Sequence, residues 1–395
     1  VALIPLTRGQ TRSIARDEIA QQASQRFVSF VGDSLTAPIS GSGTGLWPGL
    51  FCMLSGGRAV YTANYAVSSK QSSDVIADQL PSAIADRSEF VAVLIGTNDI
   101  KGASPAAALS EAQSIANLTT IYDTIVNAGK TPICCTLPPL SWTNQSSWRV
   151  GADRLSQWIA DYARTNGYPL IDFYAALVDP ATSNLASSYT SDGLHPDTEL
   201  GGLAMANRAV ADVLAFFSPQ SVRLATGDLD RRNLIPYGTF SSDVDANGRG
   251  DEWGKSSESG TIVYSVEAIT GGIGSTQVIA FTGAAAATIS PNTLITTGFS
   301  VGDRMFFGGR VWTTDATGSL KFAPILICTS GSLTVRPTPG GNLFFNLTDG
   351  WFGIEFVVPS GTTSFDVRLT ASATAGGTVK WGQITLRNLT TEATS

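Results

Sequence analysis

A single histidine, His195, serves a chain of 395 residues, so any imidazole chemistry must run through that one side chain. It stands in the run Ser-Asp-Gly-Leu-His-Pro, with Asp192 three residues before it. At that spacing the carboxylate can turn back to accept one ring N–H, which fixes the tautomer and leaves the other nitrogen as a base. Ser34, in Phe-Val-Gly-Asp-Ser-Leu-Thr-Ala, is a hydroxyl that such a base would turn into a nucleophile. Asn98, in Leu-Ile-Gly-Thr-Asn-Asp, carries an amide donor suited to a developing oxyanion, while Asp99 beside it reads as a turn cap. Acyl transfer to water needs this set of groups.

The three segments lie far apart in the chain, so a fold has to bring them together. Short apolar runs at residues 26–32, 59–66, 90–96, 131–136 and 169–173 read as strands. Between the third and fourth, Leu118, Ile121, Tyr122, Ile125 and Val126 repeat at helical spacing, with Ser104 as the expected N-cap, Pro105 at the first helical position and Gly129 as the stop. Leu155, Trp158, Ile159, Tyr162 and Ala163 predict a second helix, and Val210, Val213, Leu214 and Phe217 a last one. Apolar strands alternating with amphipathic helices predict a parallel sheet covered on both faces, a three-layer α/β domain over residues 26–217. Ligands of such open sheets sit beyond the carboxyl ends of the strands. In a flavodoxin-like order 2-1-3-4-5 the first and third strands are neighbours, and Ser34 and Asn98 then converge.

These blocks, in this order, resemble the SGNH hydrolase superfamily, also called GDSL esterases. Gly32-Asp33-Ser34-Leu35 matches the nucleophile block, Gly96-Thr97-Asn98-Asp99 the G-x-N-D block, and Asp192-Gly193-Leu194-His195 the D-x-x-H block. The resemblance implies a Ser34–His195–Asp192 triad, an oxyanion hole made by the Ser34 N–H, the Asn98 amide and the Ser69 N–H, and no cofactor requirement. It also implies activity that falls in acid as the imidazole takes up a proton. One block departs from the pattern. Where the family carries Asn-x-Gly-x-x-Gly, this chain keeps Asn64 but has Ala66 and Ser69 at the glycine positions. A backbone donor survives that change only where the local φ tolerates a side chain.

After Ser218-Pro219 the pattern changes to short β-branched and aromatic runs separated by Gly, Ser, Pro or Asn: residues 261–269, 304–314, 321–330, 341–347, 353–358, 364–372 and 379–388. They predict an all-β jelly-roll sandwich at 233–395, behind a linker at 218–232, with 1–25 as an N-terminal extension. The sandwich resembles a carbohydrate-binding module and carries Trp253, Trp312, Trp351 and Trp381. Its Asp243, Asp245, Asn247 and Asp251 stand at positions 1, 3, 5 and 9 of a loop with Gly248 at 6, a spacing that can hold a structural Ca²⁺, although Gly254 replaces the Glu of an EF-hand. Trp142 and Trp148, in the loop after the fourth strand, are candidate sugar-stacking residues, and Trp47 reads as core.

Composition closes off other classes. Charged residues are 14% against a usual share of about 25%. The net charge of −7 speaks against nucleic acid as a partner. Four scattered cysteines, Cys52, Cys134, Cys135 and Cys328, make neither a disulfide framework nor a zinc pair. Residues 268–302 hold no charge, but their Gly, Ser, Thr, Pro and Asn disqualify them as a membrane span. The chain begins with Val rather than Met, consistent with removal of a leader or of an upstream segment. The expectation is an extracellular serine esterase, a secreted protein or a phage tail component, that removes acetyl groups from a polysaccharide. A lipase-like or lysophospholipase-like esterase on longer acyl chains, or a glycan-binding adhesin or virion receptor-binding protein on an esterase fold, is the alternative.

Overall fold

The computed structural model describes residues 27–37, 47–102, 107–141, 146–218, 224–270, 272–315, 319–330, 333–335 and 347–392. Five parallel strands form the first sheet: β1 (Phe27–Gly32), β2 (Val60–Asn64), β3 (Phe90–Leu94), β4 (Thr131–Cys135) and β5 (Leu170–Ile171). Their order is β2-β1-β3-β4-β5, the one expected. All five residues of β3 are buried, as a strand covered on both faces requires. The helices Glu111–Asn127 and Ser146–Asn166 and the helical run from Ser72 to Ala85 pack together on one side. The helices Trp47–Leu54 and Glu199–Val213 pack against each other on the opposite face.

Two boundaries move for local reasons. β5 is shorter than expected because the Asp172 side chain accepts the Ala175 N–H at 3.1 Å and starts the helix Phe173–Leu177. The Glu111–Asn127 helix is capped by Ser110, whose side chain accepts the Gln113 N–H at 3.2 Å; Ser104 and Pro105 lie outside the described residues. Its apolar stripe is buried through Leu118, Ile121, Tyr122 and Ile125, while Val126 points to solvent.

Among the described residues the second half holds ten strands: β8 (Trp253–Ser259), β9 (Ile262–Ala268), β10 (Ser275–Phe281), β11 (Ala285–Pro291), β12 (Arg304–Thr314), β13 (Lys321–Thr329), β14 (Thr334–Val335), β15 (Gly350–Val357), β16 (Ser364–Ala373) and β17 (Gly377–Asn388). A short β6–β7 ribbon, Val178–Asp179 with Asn184–Leu185, precedes them in the first half. The ten strands make two antiparallel sheets, β15-β12-β17-β10-β9 and β14-β13-β16-β11-β8, that face each other across one apolar core. Trp381 of one sheet meets Phe322 of the other edge-on, with ring centroids 5.6 Å apart. β8, β10, β11 and β14 were not among the expected strands. The expected strand at 341–347 lies almost wholly outside the described residues, which resume at Leu347.

The halves are pinned together. Glu355 on β15 has a side chain only 3% exposed, and it accepts Arg304 at 2.9 Å and Arg87 of the first half at 3.4 Å. Arg87 also donates to the Glu355 backbone carbonyl at 2.8 Å and lies over the Phe27 ring. Glu355→Ala leaves two guanidinium groups without their shared carboxylate. Because both arginines are partly solvated, the expected loss is about 1–3 kcal/mol rather than the larger cost of breaking a fully buried pair. Urea unfolding checks it; an unchanged midpoint would show that the contact carries no stability.

Candidate active site

Ser34 sits on a tight turn directly after β1, where the Thr36 and Ala37 N–H groups both return to the Asp33 carbonyl, at 3.1 and 2.8 Å. The turn needs Gly32 before it, since a Cβ there would come within 2.2 Å of the Leu94 carbonyl oxygen on β3. Gln79 holds the same glycine from below, accepting its N–H and donating to its carbonyl, both at 2.9 Å.

His195 lies on the loop before the Glu199–Val213 helix. Its Nε2 is 2.9 Å from the Ser34 Oγ and its Nδ1 is 2.6 Å from the Asp192 Oδ2. The other Asp192 oxygen accepts the backbone N–H groups of Leu194 and His195, both at 2.8 Å. Partial burial works against the charge on Asp192, but the hydrogen bonds from the His195 backbone and ring and from Leu194 outweigh it and hold the carboxyl below its ordinary range. An ionised Asp192 on Nδ1 puts the ring proton there and leaves Nε2 free to accept from the serine hydroxyl. The three expected residues therefore stand in one chain of hydrogen bonds.

Ser69 adopts φ +65°, the left-handed conformation that glycine favours, so the backbone here keeps its shape with a serine in place. Among the described residues, neither the Ser34 N–H nor the Ser69 N–H has a hydrogen-bond partner, and both residues line the same cavity. Asn98 also lines it, but its amide is engaged: Nδ2 donates to the Lys70 carbonyl at 2.9 Å and, more weakly, to Asp33 Oδ2 at 3.3 Å. Asn64 donates to the Thr36 carbonyl at 2.6 Å and accepts the Ala66 N–H at 3.0 Å, so it ties the Ser69 loop to the nucleophile turn.

Four polar residues of this framework were not singled out in the sequence as its supports. Asp99, fully buried, accepts both the N–H and the hydroxyl of Ser72, at 2.8 and 2.6 Å, and so fixes the segment that follows Ser69. Gln71 donates to the Asn98 carbonyl at 3.1 Å. Gln79 clamps Gly32. Asp33 is buried beneath the cavity, where desolvation pushes its carboxyl up to about 7 against the opposing pull of the Leu35 N–H and the His195 charge. Gln71 and Gln79 make their contacts across sequence gaps that no local motif marks, while Asp33 and Asp99 lie within the nucleophile and G-x-N-D blocks but their supporting contacts do not show in the sequence.

The cavity measures about 250 Å³, with Leu35 and Leu194 as its apolar walls. A larger concavity of about 790 Å³ lies on the sandwich, lined by Arg310, Trp312, Asp349, Glu267 and Lys380 among others, and contains no nucleophile–base pair. Trp312 is half-buried there under the Arg310 guanidinium, 4.7 Å from its ring centroid, whereas Trp253, Trp351 and Trp381 are core residues. Trp47 is core as expected. Trp142 lies outside the described residues, and Trp148 packs half-buried against the core of the first half, away from the cavity lining.

In the acidic loop of the second half, ligand oxygens of Asp243, Asp245 and Asp251 gather within 4.8 Å of one another, a donor set a hard cation such as Ca²⁺ can use. Beside them, Asn247 Oδ1 accepts the Arg249 N–H at 2.8 Å and its amide donates to Asp245. Asp243 and Asp251 are also occupied by loop N–H groups, so the loop is already closed on itself. All four cysteines are buried free thiols. No helix among the described residues is long and apolar enough to cross a membrane.

Residues 30–200 match the GDSL-like lipase/acylhydrolase family. No curated protein matches the chain. Among solved structures it is similar to a GDSL-like lipase from Bacteroides thetaiotaomicron, at 18% identity over 51% of this chain and 96% of that one, TM-score 0.39. It is also similar to an acetylxylan esterase from Geobacillus stearothermophilus, at 18% identity over 48% of this chain and 95% of that one, TM-score 0.40. A third likeness is to the enzymatically active domain of a tailspike protein of bacteriophage CBA120, at 15% identity over 40% of this chain and 22% of that one, TM-score 0.32. Family match and sequence blocks agree on one span of the chain: residues 30–200 match the GDSL-like lipase/acylhydrolase family, and the Ser34, Asn98 and His195 blocks all fall within them.

Proposed function

We propose that this protein is a serine esterase that removes short acyl groups, acetyl above all, from a polysaccharide outside the cell. The observation that carries the reading is the Ser34–His195–Asp192 hydrogen-bond chain opening into a small cavity beside the Ser34 and Ser69 N–H groups, which have no partner among the described residues. Ser34 Oγ attacks the ester carbonyl while His195 Nε2 takes its proton. Asp192 holds the imidazolium that results. The oxyanion forms against the Ser34 and Ser69 N–H groups, and Asn98 joins by giving up its long contact to Asp33. A strong donor of this kind is worth roughly 3–4 kcal/mol in the transition state. His195 then protonates the departing alcohol, and water releases the acyl group by the same steps in reverse. The chain's own residues supply each group this sequence uses.

The acyl preference follows from size. At about 250 Å³ the cavity falls below the usual range of about 300–1,000 Å³ for sites that enclose drug-sized ligands. It suits acetyl better than a fatty chain. On p-nitrophenyl esters, kcat/KM is expected to fall at least about tenfold from acetate to octanoate, a difference of about 1.4 kcal/mol. Acetate release from acetylated polysaccharides would extend the result to the polymer. The reverse chain-length order would replace this reading with the lipase-like one.

A further inference from the structure

Lys101 ends the short Thr97–Lys101 helix, one turn beyond Asn98, and lines the catalytic cavity together with Ser34, Ser69 and His195. Its ammonium is placed unlike those of four of the chain's five other lysines. Lys70, Lys130, Lys255 and Lys380 each face a carboxylate within 3.4 Å. Among the described residues Lys101 forms no ion pair, and its hydrogen bond is a 3.3 Å contact to the adjoining Gly102 carbonyl. Asp33 also lines the cavity, but it is fully buried and its oxygens take the Leu35 N–H and the Asn98 amide. Its carboxyl still feels the Lys101 charge, so that charge reaches the reacting region.

A cation in this position is costly under a neutral substrate. Seating the substrate strips water from the ammonium, and an uncharged sugar returns only ordinary hydrogen bonds. A carboxylate returns a charge-assisted one, roughly twice as strong. The chain as a whole is acidic, at −7, so general attraction would not draw an anionic polymer to this cleft. A local cation supplies discrimination there instead.

Resting on the esterase reading above, we propose that Lys101 is a specificity-determining residue that pairs with a carboxylate on the substrate, so that the preferred ester is an acylated acidic sugar or carries an acidic acyl group. Two matched pairs of substrates separate these sources: O-acetylated galacturonic against O-acetylated xylo-oligosaccharides, and p-nitrophenyl hemisuccinate against p-nitrophenyl butyrate. The wild type is expected to favour the anionic member of one pair at least tenfold in kcat/KM. In Lys101→Met that ratio should collapse towards one, and in Lys101→Glu it should invert. No preference in the wild type, or an equal loss on both members of each pair in Lys101→Met, would overturn the proposal; the latter would assign the Lys101 charge to the oxyanion. No turnover of any ester by the wild type would be a different failure, that of the esterase reading, and would remove the basis for this one.

Discussion

Ser34→Ala is expected to lower kcat on p-nitrophenyl acetate by roughly 10³–10⁶-fold while the protein stays folded. The loss is large because the alanine has no nucleophile and His195 has nothing to deprotonate. The residual rate would come from the N–H groups of Ser34 and Ser69, which the substitution leaves in place. Stability should change little, since the Ser34 hydroxyl is half-buried and its hydrogen bond is to His195 Nε2, itself accessible to water. A melting temperature within about 2 °C of wild type, with turnover gone, is the expected pair of readings. Retained turnover would remove Ser34 from the mechanism.

The second large effect concerns Asp33, which shares the nucleophile turn but touches solvent nowhere. Burial lifts its carboxyl from an ordinary 3.8 to about 7. Between those values the unfolded chain has released this proton while the folded one still holds it. Stability therefore falls as pH rises through that window, at up to about 1.4 kcal/mol per pH unit and about 4 kcal/mol in all. Asp33→Asn removes the titration and gives up one acceptor oxygen. Its absolute stability at pH 5 can shift by the lost hydrogen bond, so the slope is the readout. Urea unfolding at pH 5 and pH 8 should show a smaller difference in the variant than in the wild type, by about 2–4 kcal/mol. An identical slope in both proteins would mean that Asp33 is ionised throughout.

Much of the site could be read from the chain because its reacting groups sit where backbone rules put them. Ser34 follows an apolar run with no intervening loop, and Asp192 and His195 are three residues apart. The serine at position 69 could be judged only with its backbone angle known, and that angle is left-handed. The supports were less visible. Gln79 and Gly32 are 47 positions apart, and Asp99 and Ser72 are 27 apart, so neither contact leaves a local trace. The Ser110 cap was visible as Ser-Glu-Ala-Gln, but Ser104-Pro105 presented a competing start upstream. In the sandwich, β10 and β11 fall in the uncharged, Ala- and Thr-rich stretch, where the alternation of polar and apolar residues is too shallow to mark strands.

The Trp47–Leu54 helix follows the nucleophile turn in sequence and divides its side chains between two interiors. Trp47, Phe51 and Cys52 belong to the core of the first half, while Leu50 and Met53, with Ala206 of the Glu199–Val213 helix, belong to the core of the sandwich. A protein engineer who cuts the chain after residue 218 to isolate the hydrolase would strip cover from Leu50 and Met53 and leave greasy residues facing water. Grafting a different sandwich onto this hydrolase likewise means rewriting Leu50, Met53 and Ala206 to fit the newcomer. Inheritance faces the same constraint: the two halves can change partners only if this helix changes with them.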